Sequence, residues 1–468
     1  LAAIQVGYGS APVSVAITPD GSTAFVANEG RGEVLRFSTA TRTQTGTLPI
    51  AHRPRALAIS ADGTRLYVSR FLSPTDWAEV WEIDIGAWSV QRTLRIPKFG
   101  GDDHRDTTAS GKGIVNYLAA LALAPDGRSL WVAGTRANAQ RGTFFGEDLD
   151  QDNTVRNGLV QIDLASGAVA RAIDIDNSDS ASAIAFSPLG DYVFVSLQGN
   201  NEVVVLDALE IEAASGLGAF VTRLGAGRAP QGLCSDTTTG RTFVKNLMSR
   251  SVTALETDDL YRSGAVSVAA SDIVTVATER LPADVLRGKQ IFYDASDPRM
   301  SAEGYLSCAT CHIDGGHDGR VWDFTGRGEG FRNTTTLRGR GGIGHGNVHW
   351  TGNFDEIQDF ENDIRNAFGG AGFLSDEDFA LTQHPLGTTK AGRSADLDAL
   401  AAYVASLDAT TIPRSPWRNP DGSSTPSALV GAGVFRDLGC ATCHNGPNLT
   451  DSGPGGTLHD VGTARTSS

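Results

Sequence analysis

Apolar and polar residues alternate along the first 275 or so positions, and the alternation comes in units. "APVSVAITPDGSTAFVANEGRGEVLRFST" is one unit, and "RPRALAISADGTRLYVSRFLSPTDWAEVWEID" is the next. "YLAALALAPDGRSLWVAG", "ASAIAFSPLGDYVFVSLQGNNEVVVLDA" and "APQGLCSDTTTGRTFVKNLMSRSVTALE" follow. Each holds an alternating run, a turn of the Pro-Asp-Gly kind, and a second run. Most then show a polar turn and a third run. Alternation marks half-buried strands, and Asp-Gly between two such runs marks a hairpin. Strand repeats of this length predict an all-β propeller over residues 1–275, each unit one blade. Five repeats are readable, and about seven blades are expected. "LAAIQVG" reads as the last strand of a preceding blade.

Beyond residue 275 the period changes. "SADLDALAAYVASLDA", residues 394–409, is an amphipathic helix pattern. "TTIPRSPWRNPDGSSTPS" after it reads as a linker. Two mainly α domains are expected, 276–410 and 411–468, the second incomplete. The segment between propeller and first α domain has no polar tether, so the two should pack together, with Val274, Val276 and Leu281 buried.

Composition narrows the partners. The 468 residues carry a formal charge of −15, which argues against nucleic acid and anionic membrane surfaces. No apolar run reaches the roughly 18 residues of a membrane span. The chain opens directly on a strand pattern, so Leu1 reads as a mature or trimmed start. Five cysteines are present, and four of them fall in two identical pentads, "CATCH" at 308–312 and at 440–444. The fifth, Cys234, reads as a small buried residue.

C-x-x-C-H is the attachment pattern of c-type haem. Two thiols at this spacing can reach both vinyl groups of one porphyrin, and the adjacent His is placed to ligate the iron. A closed zinc site needs four ligands, and each pentad supplies at most three. A redox C-x-x-C would sit in a thioredoxin-like setting, which the pattern lacks. Two covalently bound haems are therefore expected, at Cys308, Cys311 and His312 and at Cys440, Cys443 and His444. Haem attachment of this kind is extracytoplasmic chemistry, which places the protein in the periplasm or on the cell surface.

"LYVSR" and "FVANEG" resemble the YVTN family of propeller repeats. From about residue 281 onward the chain resembles the bacterial di-haem cytochrome c peroxidase and MauG family. "VLRGKQIFYDASDPRMSAEGYLSCATCH", "ALVGAGVFRDLGCATCH" and "CATCHNGPNLTDSGPGGTLHDVG" carry that resemblance. It implies that Trp350, in His349-Trp350-Thr351-Gly352, couples two haems. It also implies peroxide as a substrate and a Glu that moves its proton. The family's Asn-Pro-x-Glu-Met stretch is missing, however. Glu356 and Glu361 lie near its place, and each reads equally as a helix carboxylate. His459 matches a His that the family does not use as a ligand.

His317, His345 and His349 are candidate distal ligands of the first haem. Only 24 residues follow His444, so the second haem's sixth ligand is not expected within this sequence. Asp148, Asp150 and Asp152 alternate as at the start of a calcium loop, although the Gly and late Glu of a full EF-hand are missing. The other reading is a solvated acidic loop. The same holds for His104 with Asp102, Asp103 and Asp106. Two functions are in play. One is electron transfer by a di-haem c-type cytochrome, with the propeller docking a redox partner protein. The other is a peroxidase-like oxidoreductase.

Overall fold

The computed structural model describes residues 3–50, 52–100, 111–150, 154–213, 219–236, 238–266, 268–446, 448–451, 458–460 and 462. Five four-stranded antiparallel sheets follow one another along residues 12–274. The first strand of each lies beside the first strand of the next: Pro12–Ile17, Pro54–Ile59, Ile114–Leu123, Ala181–Phe186 and Pro230–Asp236. This is a β-propeller. The Asp-Gly turns explain the hairpins. Gly21, Gly63 and Gly127 take φ near +70°, which a side chain would resist. Asp20 and Asp62 accept from the Ser and Thr residues around them and tie each loop to itself.

Apolar clusters fill the space between successive blades. Phe25 and Val34 meet Leu66, Val68 and Trp81. Tyr67 and Val80 meet Leu118 and Val132, and Trp131 and Leu159 meet Ile184 and Val195. Phe194 and Val203 meet Val244 and Leu255. Among the described residues no such cluster joins the fifth blade to the first, and Val13, Val15 and Ile17 on the first strand are exposed. Among the described residues five blades are present, and the expected count of about seven is not confirmed. Residues 3–10 form no strand, so the reading of "LAAIQVG" as a blade strand does not hold for its described part.

After the fifth blade short helices alternate with irregular segments and one hairpin, Val321–Phe324 with Gly330–Asn333, so the mainly α character expected of residues 276–468 is not confirmed. The Ala283–Phe292 helix packs on the Ala395–Ala405 helix. Gly288 makes the crossing possible, because a Cβ there would overlap the carbonyl of Ala399. Phe292 meets Tyr403 edge-on at 5.0 Å. The cluster around them takes in Ile291, Met300, Ile364 and Leu400, and also Ala229 and Met248 of the fifth blade. Propeller and helices thus share one apolar core.

That contact is not made by the residues the sequence suggested. Val274 ends the outermost strand of the fifth blade, Ala270–Val274, and is 74% exposed; Val276 is exposed too, while Leu281 is partly buried. An outer strand has solvent on one side, so its alternation does not mark a core. Cys234 is exposed for a similar reason, on a blade whose neighbouring face is open.

The Pro426–Asp437 helix precedes the second pentad. It starts at Thr425, whose side chain accepts from the Ala428 N–H, with Pro426 in the first turn. Leu429, Val430 and Val434 on it, and Leu438 just after it, are exposed. No helix among the described residues is long and apolar enough to cross a membrane.

Candidate haem sites

The first pentad forms a short helix, Cys308–His312, opened by Ser307. Ser307 N–H donates to Thr310 Oγ1 at 2.8 Å, closing the first turn. Behind the pentad the chain reverses through Asp314, whose φ is +57°. His312 Nδ1 lies 3.1 Å from the Gly316 carbonyl. A proton shared there leaves Nε2 with the ligand lone pair. Burial pushes His312 down to about 4, against the carbonyls of Gly316 and Thr335, so the ring is neutral at neutral pH. Burial likewise pushes the Cys308 thiol up to about 12 and raises the Cys311 thiol well above its ordinary value. A neutral imidazole and two unpaired thiols are what a covalently held haem requires of its protein.

The pocket also holds a spare cation. Arg340 is partly buried and, among the described residues, its guanidinium has no hydrogen-bond or ion-pair partner. Burial lowers its pKa, and its charge in turn lowers that of His312. A desolvated, unpaired guanidinium fits the carboxylates of a porphyrin edge. The residues present therefore fit a haem.

The propeller grips this segment from below. Asp179, between the third and fourth blades, accepts from Ser307 Oγ at 2.7 Å and from Thr310 Oγ1 at 2.9 Å. Tyr117 Oη donates to the Cys311 carbonyl at 2.8 Å. Asn116 Nδ2 donates to the Asp318 carbonyl at 2.7 Å. Arg55 pairs with Asp314 at 3.1 Å, and Arg320 donates to the carbonyls of Ser73 and Pro74. Asp318 in turn accepts from Trp322 Nε1 at 2.8 Å. Sequence reading missed these propeller residues. Arg55, Asn116 and Tyr117 lie on the innermost strands of their blades and Asp179 in the loop before one, none of them in a motif and all far from the pentad along the chain.

The three candidate distal histidines separate. His349 has φ +63°, and its two ring nitrogens face Asn353 Oδ1 at 3.0 Å and Asp363 Oδ2 at 3.4 Å. Its ring packs on Phe354 and Phe360. Burial acts to raise Asp363, but the bond from His349 and the Arg327 charge outweigh it and hold the carboxyl low. His317 accepts from the Gly319 N–H at 3.1 Å. Burial lowers His317, and the charges of Arg53 and Arg338 add to this. His345 is lowered by burial and by Arg340.

Glu356 and Glu361 are both occupied. Glu356 accepts from Thr389 Oγ1 at 2.7 Å and from the N–H groups of Lys390 and Ala391. Glu361 is fully buried; it accepts from the N–H groups of Phe373 and Leu374 and pairs with Arg365 at 2.9 Å. Trp350 is 49% exposed, with Nε1 donating to the Asn333 carbonyl at 3.1 Å and Arg332 over its ring. A Cβ placed on Gly352 would lie 3.6 Å from Leu458 Cδ2. The Trp350 loop therefore adjoins the segment that follows the second pentad.

The second pentad repeats the first in outline. Its Cys440–Thr442 part is a single turn, and His444 Nδ1 lies 3.1 Å from the Leu449 carbonyl. Here the site is open, with His444 exposed and Phe435 beside it at 6.1 Å. His459 Nε2 bonds Asp451 at 2.7 Å, and both stand close to the Cys443 sulfur.

In the acidic loop, Arg141 reaches the Asp148 carbonyl at 2.9 Å, Glu147 at 2.7 Å and Asp150 at 3.9 Å. A guanidinium thus stands among the oxygens suggested for calcium. Asp152 lies outside the described residues, as do His104, Asp102, Asp103 and Asp106.

No family model matches the chain. Among characterised proteins it is 30% identical over 180 residues to hydrazine synthase subunit gamma of Kuenenia stuttgartiensis, covering 37% of this chain and 47% of that protein. It is 28% identical over 183 residues to cytochrome c551 peroxidase of Pseudomonas aeruginosa, covering 35% of this chain and 50% of that one. The chain spans about half the length of these relatives. Among solved structures, the propeller domain of Myceliophteria thermophila Cps50 (Swd1) aligns with a TM-score of 0.38 at 12% identity, over 58% of this chain and 73% of that one. Blade topology and sequence likeness together support a propeller joined to a cytochrome-related part. They support a haem-related redox role.

Proposed function

We propose that the chain is a di-haem c-type electron-transfer protein whose propeller forms one wall of the first haem site. The observation that carries this is shared by both pentads. In each, the His lies with Nδ1 3.1 Å from a nearby backbone carbonyl, and the two cysteines of the pentad form no disulfide. Haem bound at each pentad supplies reversible one-electron chemistry at its iron. Cys308, Cys311 and His312 hold the first, with Arg340 for its carboxylates. Cys440, Cys443 and His444 hold the second. His349 is committed to Asn353 and Asp363, so His317 and His345 are the candidates for the sixth position at the first site.

Electron transfer is favoured over peroxide chemistry by the two glutamates. A group that shuttles a proton must reach the substrate. Glu356 and Glu361 instead spend their oxygens on loop backbone and Arg365. The peroxidase-like reading keeps one support, the likeness to a cytochrome c551 peroxidase. We place the protein in the periplasm or at the cell surface, with a redox protein as partner. Calcium is given no role, since a cation, Arg141, already pairs with Glu147, faces Asp150 and donates to the Asp148 carbonyl.

Mass spectrometry of the intact chain from a host that matures c-type cytochromes tests the proposal. Two haem adducts are expected, at 308–311 and 440–443. Four alkylatable thiols in those positions would overturn it. Peroxide titration of the loaded protein separates the two readings. Unchanged absorption is expected, and turnover of a reductant would favour the peroxidase.

A further inference from the structure

We infer that Asp179, a propeller residue, is a positioning residue for the first haem: it sets the attachment helix and lowers that haem's reduction potential. The inference rests on the haem reading above and adds a role for the propeller that no pentad residue reveals.

Asp179 is fully buried at the junction of two blades and the attachment helix. Both carboxylate oxygens are used across that junction, Oδ2 by Ser307 Oγ at 2.7 Å and Oδ1 by Thr310 Oγ1 at 2.9 Å. Ser180 Oγ adds a third bond at 3.0 Å, and the Asp179 N–H donates to Asn200 Oδ1 at 2.6 Å. Ser307 precedes Cys308, and Thr310 lies between the two cysteines. Fixing both hydroxyls fixes the turn that carries both thiols. Gly199 completes the fit, since a Cβ there would run into the Asp179 side chain.

A buried carboxylate with only hydroxyl partners is costly unless it is used. Here no Arg or Lys pairs with it among the described residues. Ser307 is next to Cys308 and Thr310 next to Cys311, so the Asp179 charge stands directly behind the turn that carries both cysteines. In a medium of low dielectric an unbalanced negative charge favours the oxidised, more positive iron.

The test uses the mature, haem-loaded protein and three variants. Asp179→Asn keeps the shape and removes the charge. Asp179→Ala removes both. Asp294→Asn removes another propeller-facing carboxylate, which bonds Arg228 and Asn201 away from the attachment helix. Spectroelectrochemistry reads the two haem potentials, and mass spectrometry of peptides reads attachment at 308–311.

An upward shift of one potential is expected in Asp179→Asn, with attachment kept. Asp179→Ala should lose at least half of the first adduct and none of the second. Asp294→Asn should leave both potentials in place. Potentials and first-site attachment equal to the unmodified protein in both Asp179 variants would overturn the proposal, as would an equal shift in Asp294→Asn. Absence of haem from the unmodified chain would instead overturn the haem reading itself.

Discussion

Tyr117, on the innermost strand of the third blade, donates its phenol to the carbonyl of Cys311 across 2.8 Å. Its backbone pays for this reach with φ +50°, a conformation unusual for a bulky residue. Its ring is buried, stacked obliquely on Phe71 at 5.1 Å. The propeller is thus bent locally to meet the turn of the first pentad.

Tyr117→Phe removes the bond and keeps the ring. Urea unfolding should show a loss of about 1 kcal/mol, the usual net worth of one such bond. The haem spectrum should change little, since the carbonyl of Cys311 is not a ligand.

Asp179 predicts a pH dependence of stability. Burial raises its carboxyl to about 6, although Ser307, Thr310 and Ser180 all oppose the rise. The folded state therefore holds this proton more tightly than the unfolded chain, where the value is 3.8. Its contribution is fully present below that lower value and is lost as pH rises through about 6. The loss amounts to at most about 3 kcal/mol. Urea midpoints of the loaded protein from pH 4 to pH 7.5, compared with Asp179→Asn, measure it. The variant should show the shallower fall, and identical slopes would contradict the prediction.

Glu361→Gln should destabilise the segment after the propeller by about 2–4 kcal/mol, because it breaks a buried pair with Arg365 and weakens two backbone bonds. A thermal melt reads this directly. Residual electron transfer per folded molecule should stay as before, which a catalytic glutamate would not allow.

Trp350→Phe tests coupling between the two sites. The loop of Trp350 adjoins Leu458, close to the second pentad. Phenylalanine keeps most of the apolar surface but is harder to oxidise than indole. Electron exchange between the haems, followed by flash photolysis, should slow with both haems still attached. An unchanged rate would leave Trp350 a packing residue.

Chelation should leave the melting temperature unchanged. Arg141 pairs with Glu147, faces Asp150 and donates to the Asp148 carbonyl, so a cation already stands in this loop. A fall in the melting temperature on adding EGTA would restore the calcium reading.

The sequence by itself determined the local features. Alternation and Asp-Gly turns gave the strands and their grouping into blades, because both are set by neighbours a few residues apart. The two pentads suggested haem from sequence alone, because attachment needs thiols and imidazole at fixed short spacing. Blade number was not legible, since it depends on how blade faces meet; five are described. Nor were the exposures of Val274 and Cys234, which depend on lying at an edge or beside an open face. Tertiary structure alone decided the partners of the first pentad. Asp179 and Ser307 are 128 positions apart, and Tyr117 and Cys311 are 194 apart. No sequence period links such residues. They meet because the helical segment shares a core with Ala229 and Met248, which lays the pentad across the loops of the propeller face.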